Sequence, residues 1–382
     1  MKQIYLDNQA STPIDPIVLS EMQPWLQNKF GNPSSKNHIF GWEANEGVEK
    51  SRELVANIIN ANPKEIIFTS GATESNNIAI QGITKCYPQK NKHIITVRTE
   101  HKAVLDICDF LEKDGYKVTR LNVDKSGQID LKKLEDSIQK NTILISVMHV
   151  NNEIGLINPI NLIGEICKNK KILFHVDAAQ SIGKISVDVN KMYIDLLSLS
   201  GHKIYGPKGI GALYIKRKKP QINIKPIFYG GNQELGLRSG TLPVANIIGL
   251  GKACQISNNL MTKDNDHILK LRTKLLKSLL KIHNIKINGC MNNRIAGNLN
   301  ICFPGINNEA LISSTPEIAF STGSACTTSN IEPSHVLLSM GLSKKDVYSS
   351  IRISIGRFNT DHDIDTAINS IETAIKKISN IF

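Results

Sequence analysis

A lysine among small polar residues and an acidic residue each lie at the end of a predicted strand. Lys203 closes the run Ser198–Lys203, after a strand predicted at Ile194–Ser198. An amine there can form a Schiff base, although most lysines simply lie on the surface. Asp177 ends a strand predicted at Ile172–Asp177. A carboxylate buried there needs a cation, either a protonated pyridine nitrogen of a ligand or a structural Lys or Arg.

Two runs of small residues have types that can bind an anion and supply a nucleophile. Thr69–Glu74 links an apolar strand to a helix expected from Thr73. Backbone N–H groups at a helix N-terminus favour phosphate, and the same residue types also form an ordinary Thr N-cap. Cys326 lies in the run Ser321–Asn330, which has too little bulk to pack into a core. An exposed thiol in such a loop is a candidate nucleophile.

The cysteine pattern argues against metal binding. The chain has seven cysteines but no C-x-x-C motif and no paired Cys/His spacing, so we expect no metal site. A disulfide scaffold is not expected in a chain of this size without an export signal. The cysteines other than Cys326 lie in apolar or helical contexts and are expected in the core.

Strand-like and helical patterns alternate from about residue 65 to residue 216. This alternation predicts an α/β fold, with a mostly parallel seven-stranded sheet and helices on both faces. Sites in such sheets open at the carboxyl ends of the strands, where the runs above lie. The predicted strands are Ile66–Thr69, His93–Val97, Lys117–Leu121, Thr142–Val150, Ile172–Asp177, Ile194–Ser198 and Gly211–Ile215, and the helical patterns are Glu74–Cys86, Ala103–Lys113, Leu131–Gln139 and Pro159–Lys168.

A second, smaller α+β domain is predicted from the rest of the chain. A long helical pattern from Val244 to His283 is followed by short strands and by a closing helix near His362–Ser379. The short segment before residue 20 is expected to join this part. We predict a large domain at residues 15–255 and a small domain formed by residues 1–14 and 256–382, which carries the Cys326 loop.

Composition sets limits on location and partners. The chain has 382 residues and 41% hydrophobic residues, with no apolar run long enough to cross a bilayer. Met1–Leu6 lead directly into a strand pattern without a targeting leader, so we expect a cytoplasmic protein with no membrane partner. The net charge of +12 comes from scattered lysines, so we expect no direct nucleic-acid partner.

Motifs along nearly the whole chain resemble the cysteine desulfurases of the iron–sulfur cluster assembly type. The resemblance implies a pyridoxal 5'-phosphate (PLP) enzyme of fold type I. The pattern differs from the family's usual one at Asn232 and Leu235, near the expected dimer interface. The motifs are Tyr5–Asn8, Phe30–Ser35, Ser70–Asn77, Thr99–Lys102, Val150–Gly155, His175–Gln180, Ser200–Gly206, Arg238–Thr241, Ser324–Thr327, Ser350–Arg352 and Gly356–Phe358.

The resemblance also implies a role for each candidate residue. Lys203 would form the Schiff base with PLP and act as the base that removes the substrate α-proton, and Cys326 would attack the substrate sulfur. A cofactor site would be formed around them, and the Cys326 persulfide would pass to acceptor proteins, including an iron–sulfur scaffold protein, with proteins of tRNA thiolation as further candidates. The other implied roles are ring stacking and proton transfer for His101, pairing with the pyridine nitrogen for Asp177, a hydrogen bond to the ring hydroxyl for Gln180, cofactor binding for Ala72 and Asn152, phosphate binding for Thr73, Ser200, His202 and a second subunit's Thr241, and binding of the L-cysteine carboxylate for Arg352 with Asn152.

Three alternatives compete with this interpretation. A selenocysteine lyase would share the fold and cofactor but would not turn over cysteine. An aminotransferase relative would need no reactive cysteine, so Cys326 disfavours it. A platform subunit without catalysis would be free to lose Lys203 or Cys326, and both residues are present. We therefore expect an enzyme, and the resemblance implies a homodimer because Thr241 would come from a second subunit.

Overall fold

The computed structural model describes residues 3–87, 92–217, 221–282, 284–322 and 332–379. Short runs rich in β-branched and other apolar residues form its strands, and most of the longer strands are buried, as expected for strands covered on both faces. The strands are β1 (Ile4–Tyr5), β2 (Ile66–Thr69), β3 (His93–Val97), β4 (Lys117–Leu121), β5 (Thr142–Met148), β6 (Leu173–Asp177), β7 (Leu196–Ser200), β8 (Gly211–Ile215), β9 (Lys286–Ile287), β10 (Asn298–Cys302), β11 (Ile318–Ala319) and β12 (Ser350–Ser354).

The helices bury one face against these strands. Capping by short polar side chains starts several of them, including Asp15 and Asp130. Within the described residues, no helix is long and apolar enough to cross a bilayer. The helices are α1 (Pro16–Gln27), α2 (Ile39–Asn57), α3 (Ala72–Thr84), α4 (Lys102–Lys113), α5 (Leu131–Asp136), α6 (Ile160–Lys170), α7 (Val244–Ile282), α8 (Asn308–Ser313), α9 (His335–Ser339), α10 (Lys344–Val347) and α11 (Asp361–Ser379).

In the described chain, seven strands form one large sheet, in the order β2-β8-β7-β6-β5-β3-β4. The strands β3 to β7 run parallel to their neighbours among themselves, and β8 runs antiparallel to both β2 and β7. Successive residues of one strand face different cores, since Ile66 and Phe68 pack in one cluster and Ile67 in another. The predicted seven-stranded, mostly parallel sheet covered on both faces is confirmed.

The predicted bounds of β7 were wrong by two residues. The strand was expected at Ile194–Ser198, but it runs from Leu196 to Ser200 because its ladder with β8 pairs Ser200 with Gly211. The side chain of Asp195 instead accepts a hydrogen bond from the backbone N–H of Phe174. The predictions were also too long for β5, which ends at Met148, and for α5, which ends at Asp136.

The remaining strands form a second layer, outside the large sheet. The strands β12, β10 and β9 form a small antiparallel sheet, and β1 pairs in parallel with β11 beside it. The N-terminal residues Ile4 and Leu6 pack in the core of this layer. The predicted boundary at residues 255/256 lies inside the continuous helix α7. The division into two domains therefore stays a prediction.

Candidate active site

A cavity of about 500 Å³ lies at the carboxyl ends of β2, β5, β6 and β7. Thr241 lies outside its lining and is exposed, and Cys326 lies outside the described residues. The cavity brings together the other predicted site residues, which are Ala72, Thr73, His101, Asn152, Asp177, Gln180, Ser200, His202, Lys203 and Arg352.

The N-terminus of α3 forms one wall of the cavity. Its N-cap residue is Gly71, whose φ of 153° is one that residues with side chains rarely adopt and which provides no capping side chain. Thr73 lies inside the first turn, so the interpretation of Thr73 as an ordinary N-cap was wrong. The N–H groups of a first turn have no partner within their helix. The wall therefore presents donors suited to an anion.

Asp177 ends β6 and is only 5% exposed. Its Oδ2 accepts a hydrogen bond from Asn76 Nδ2 at 2.8 Å, and its Oδ1 accepts one from the N–H of Ala179 at 3.0 Å. Across the described residues, no Lys or Arg forms an ion pair with it. The carboxylate is thus held by neutral donors, and its charge remains available to a cation in the cavity.

Lys203 lies just after β7, in a single helical turn from Gly201 to Lys203. Its Nζ donates hydrogen bonds to the carbonyl oxygens of Gln9 at 2.6 Å and Ala10 at 2.8 Å. The amine therefore reaches the cavity beside the N-terminal segment. The neighbouring His202 is held neutral, because burial, together with the charges of Lys203 and nearby lysines, lowers its pKa to about 4.

Arg352 extends from β12 to the opposite wall, and is 2% exposed. Its Nη1 donates to the carbonyl oxygen of Asn152 at 2.8 Å, and its Nη2 pairs with Asp7 Oδ1 at 2.7 Å. Among the described residues, its Nε and the Oδ1 of Asn152 have no hydrogen-bond partner, and both atoms are buried. A buried donor and a buried acceptor without partners are costly, so both are suited to bind a polar ligand.

His101 is the N-cap of α4, and its Nδ1 accepts a hydrogen bond from the N–H of Ala103 at 3.1 Å. An accepting Nδ1 carries no proton. The proton of the neutral ring is therefore on Nε2. This hydrogen bond fixes the ring's orientation at the cavity wall and leaves Nε2 as the nitrogen that exchanges protons.

Three site residues were given no role by sequence reasoning. Asp7 pairs with Arg352, Asn76 donates to Asp177, and the carbonyl oxygen of Gln9 accepts from Lys203. Asp7 and Asn76 lie inside motifs that carry the family resemblance, which was the available signal. Their contacts join segments distant in the chain, so spacing could not predict them.

The residues present fit PLP, the cofactor that the resemblance implies. The uncapped end of α3 suits a phosphate, and Asp177 suits a protonated pyridine nitrogen since no Lys or Arg of the described chain neutralises it. The Lys203 amine lies in the same cavity and suits an aldehyde. The orphaned Oδ1 of Asn76, beside Asp177, is a further buried polar atom that a ligand can satisfy.

Comparison with known proteins gives one consistent result. The chain matches the aminotransferase class-V family over residues 4–366. It is 50% identical to cysteine desulfurase IscS of Photobacterium profundum, over 99% of this chain and 94% of the relative. It is 52% identical to cysteine desulfurase IscS of Rickettsia africae (strain ESF-5), over 99% of this chain and 92% of the relative.

Comparison with solved structures indicates the same family. A NifS-like protein is 37% identical with a TM-score of 0.91, over 98% of this chain and 99% of that one. A structure described as SspA in complex with cysteine is 40% identical with a TM-score of 0.82, over 94% of this chain and 100% of that one. This chain therefore belongs to the aminotransferase class-V family and, within it, to the PLP-dependent cysteine desulfurases.

Proposed function

We propose that this protein removes sulfur from L-cysteine, leaves it as a persulfide on Cys326 and releases L-alanine. One observation carries the proposal: the Lys203 amine shares a cavity with the Asp177 carboxylate, which no Lys or Arg of the described residues neutralises. Bound PLP would supply an electron sink for the negative charge that develops on the substrate. In this proposal Asp177 keeps that sink protonated.

Cofactor binding is assigned to the walls described above. The N–H groups at the start of α3, with Ser200 and His202, would hold the phosphate. The lowered pKa of His202 keeps its ring neutral at physiological pH, so it acts there as a hydrogen-bonding group and not as a cation. Gln180 would contact the ring hydroxyl.

Substrate binding is assigned to Arg352 and Asn152. A guanidinium is suited to the carboxylate of cysteine, and the orphaned Nε of Arg352 supplies a donor that no described residue uses. Binding there would orient the substrate amino group toward Lys203. The Lys203 amine would then remove the α-proton, and His101 would move protons through Nε2.

The sulfur step balances without an external oxidant or reductant. The Cys326 thiolate attacks the substrate sulfur, and a new S–S bond forms as the substrate Cβ–S bond breaks. The bonding electrons stay with Cβ, which takes up a proton, so the remaining atoms leave as alanine. A free thiol has a pKa of about 8.5, so a local base must favour the thiolate. Cys326 lies outside the described residues, and its role rests on the sequence.

Incubation of the purified, PLP-loaded protein with cysteine and a reductant tests the proposal. We expect sulfide and alanine from the wild type, and neither from Cys326→Ala. Cys290→Ala is the matched control, because Cys290 is a partly exposed cysteine that lies outside the cavity lining, and it should retain activity. A PLP-loaded wild type that released neither product, or that acted on selenocysteine alone, would overturn the proposal.

We also propose that the enzyme is a homodimer that shares its two active sites. Several large apolar side chains are exposed: Phe30 is 71% exposed, Trp42 57% and Leu235 67%. Phe30 also stacks on exposed Phe40 with ring centroids 5.6 Å apart. Such a patch favours burial by a partner. Thr241, near Leu235 in sequence, is exposed and outside its own subunit's cavity lining, as expected if it serves a second subunit.

Mixed dimers test the shared site. Lys203→Ala and Thr241→Val proteins should each have little activity. Co-expression under two affinity tags should give mixed dimers in which one site has an intact Lys203 from one subunit and an intact Thr241 from the other. We expect recovery to about half of wild-type activity per mixed dimer. No recovery, or a wild type that sediments as a monomer, would contradict the shared site.

The sulfur acceptor and the cellular location also remain proposals. We propose that the Cys326 persulfide is passed to an iron–sulfur scaffold protein and to other acceptors in the cytoplasm. The support is similarity to relatives named cysteine desulfurase IscS. Transfer of ³⁵S from cysteine to a purified scaffold protein, lost in Cys326→Ala, is the expected result. Labelling that stays on this protein in the presence of the scaffold would contradict it.

A further inference from the structure

Lys184 is a half-buried lysine behind the active-site cavity that the mechanism above does not use. It lies four residues after Gln180 in the sequence. It lines a small second cavity, which Lys203 also lines. It is not part of the main cavity lining. Lys184 is therefore placed to act on a ligand in the main cavity through a neighbour that lines it.

The backbone of Lys184 is fixed on both sides. Its N–H donates to the carbonyl oxygen of Ser181 at 3.0 Å, and its carbonyl oxygen accepts from Asn265 Nδ2 on α7 at 2.7 Å. The preceding Gly183 has a φ of 72°, and a Cβ there would come within 2.8 Å of Ser257 Cβ. The turn and α7 thus hold the start of the lysine side chain in one place.

The amine of Lys184 contacts the predicted cofactor ligand Gln180. Its Nζ donates to Gln180 Oε1 at 2.7 Å, and Gln180 Nε2 donates to the carbonyl oxygen of Gln9 at 2.8 Å. Of the acidic residues that the structure describes, none forms an ion pair with Lys184. The amide oxygen of Gln180 is therefore the main acceptor for this amine.

These contacts select one of the two orientations of the Gln180 carboxamide. A carboxamide carries two N–H donors on nitrogen and acceptors only on oxygen. Rotation by 180° would place the NH₂ group against the Lys184 amine and the oxygen against the Gln9 carbonyl, so both hydrogen bonds would be lost. In the observed orientation, Nε2 has one N–H on Gln9 and a second that can donate into the cavity.

We propose that Lys184 is a positioning residue, which holds the Gln180 carboxamide so that it offers an N–H donor, and not its oxygen, to the ring hydroxyl oxygen of the cofactor. This inference rests on PLP binding at the proposed site. Burial and the charges of Lys203 and Arg352 lower the pKa of Lys184 to about 7. Both the charged and the neutral amine carry N–H groups, so the contact with Oε1 persists in either form.

The proposal has a spectroscopic consequence. An N–H donor at the ring hydroxyl oxygen stabilises negative charge there, which favours the deprotonated form of the bound cofactor. Without Lys184, only the hydrogen bond from Nε2 to the Gln9 carbonyl still selects this orientation, so the carboxamide turns its oxygen toward the ring in a larger share of molecules. The pH titration of the cofactor's visible absorption should then move to higher pH.

The test compares PLP-loaded wild type with Lys184→Met, which has similar length but no donor. We expect the titration midpoint to rise by about one pH unit, and we expect Lys184→Arg, which retains N–H donors, to restore at least half of that shift. Lys252→Met is the control, because Lys252 is a half-buried lysine that pairs with Glu21 away from the cavity, and its midpoint should equal the wild-type value.

A double variant separates positioning from a direct charge effect. If Lys184 acts through Gln180, then Gln180→Met should raise the midpoint and adding Lys184→Met should raise it no further. Additive shifts, or a Lys184→Met midpoint equal to the wild type, would overturn the proposal. The titration uses no substrate, so it does not depend on desulfuration. A wild type that bound no PLP would instead overturn the proposed function, and this inference with it.

Discussion

The two charged residues on opposite walls of the cavity are held in different ways. Asp177 receives hydrogen bonds from the neutral donors of Asn76 and Ala179. Arg352 is already paired with the Asp7 carboxylate through one nitrogen. Both side chains are at most 5% exposed. The cost of burying a charge is thus offset by neutral hydrogen-bond donors at Asp177 and by an opposite charge at Arg352.

This difference matches two kinds of ligand group. A carboxylate whose hydrogen bonds come from neutral dipoles is not matched by a counter-ion, which suits a permanently bound cation. A guanidinium with one carboxylate partner has its charge partly compensated, and the Nε of Arg352 has no partner among the described residues, which suits a substrate that must bind and leave. The walls are therefore suited to a resident cofactor and to an exchanging substrate.

Removing the charge of Asp177 should have the largest effect. Asp177→Asn keeps the shape of the side chain but removes the charge, so we expect kcat for alanine formation to fall about 10²–10³-fold. Asp195→Asn is the control, because Asp195 is a buried carboxylate at the opposite end of β7. Asp195→Asn should lower stability but keep kcat within a few-fold of wild type. An Asp177→Asn enzyme with at least half the wild-type kcat would contradict the cofactor role.

Replacing the guanidinium should mainly weaken substrate binding. Arg352→Lys keeps a positive charge but loses the planar set of donors, so KM for cysteine should rise about tenfold, with a smaller change in kcat. Steady-state kinetics across cysteine concentrations measure both constants. A fall in kcat with unchanged KM would show that the two walls do not divide the work between cofactor and substrate.

The neutral donors around Asp177 can be weakened singly. Asn76→Ala leaves Asp177 Oδ2 without its 2.8 Å donor, so we expect the free energy of unfolding of the apoprotein to fall by about 1–3 kcal/mol. Urea unfolding measures this change. Asn77→Ala is the matched control, because Asn77 is a neighbouring amide that donates to the carbonyl oxygen of Thr73 within α3 and does not contact Asp177. Equal stabilities for the two variants would contradict the role of Asn76.

Two buried histidines near Asp177 should make the fold sensitive to acid. Burial lowers the pKa of His149 and of His175 to about 4, whereas an unfolded histidine titrates near 6.5. The unfolded chain therefore binds more protons between these values, and stability present above pH 6.5 is lost as pH falls toward 4. Urea midpoints at pH 7.0, 5.5 and 4.5 should decrease in that order.

One variant sharpens the acid prediction. His175→Gln removes a ring that hydrogen-bonds Ser146 and Ser198, so it should be less stable at pH 7. Its loss of stability on acidification should be shallower than that of the wild type, because one titrating group is gone. An unchanged slope would assign the acid sensitivity to other groups.

Much of the large sheet could be predicted from local sequence. The spans of β2, β3, β4 and β8 agree with their predictions, because short runs rich in β-branched residues and bounded by polar turns carry a strong local pattern. The two-residue error in β7 has a tertiary cause, since that strand's ladder to β8 decides where it ends. Strand bounds of this kind depend on a partner that the local pattern does not specify.

The candidate site was likewise predicted in part from local sequence and decided in part by tertiary contacts. The strand-end positions predicted that Lys203 and Asp177 lie at one edge of the sheet, because the carboxyl ends of parallel strands share that edge, and the family resemblance implied their roles. Both residues do line the same cavity. The contacts that hold the site residues in place join segments that are distant in the sequence. The Asp7–Arg352 pair spans 345 positions of sequence, and Lys203 contacts a carbonyl 194 positions away.

By itself, the amino-acid sequence determined where most strands and helices lie and which chemical groups the site contains, because these depend on side-chain type and short-range periodicity. Only the tertiary structure decided which polar atoms are satisfied, as with the Asp177 oxygens, and which are left for a ligand, as with Arg352 Nε. The physical reason is that burial and hydrogen bonding depend on which distant segments meet in space.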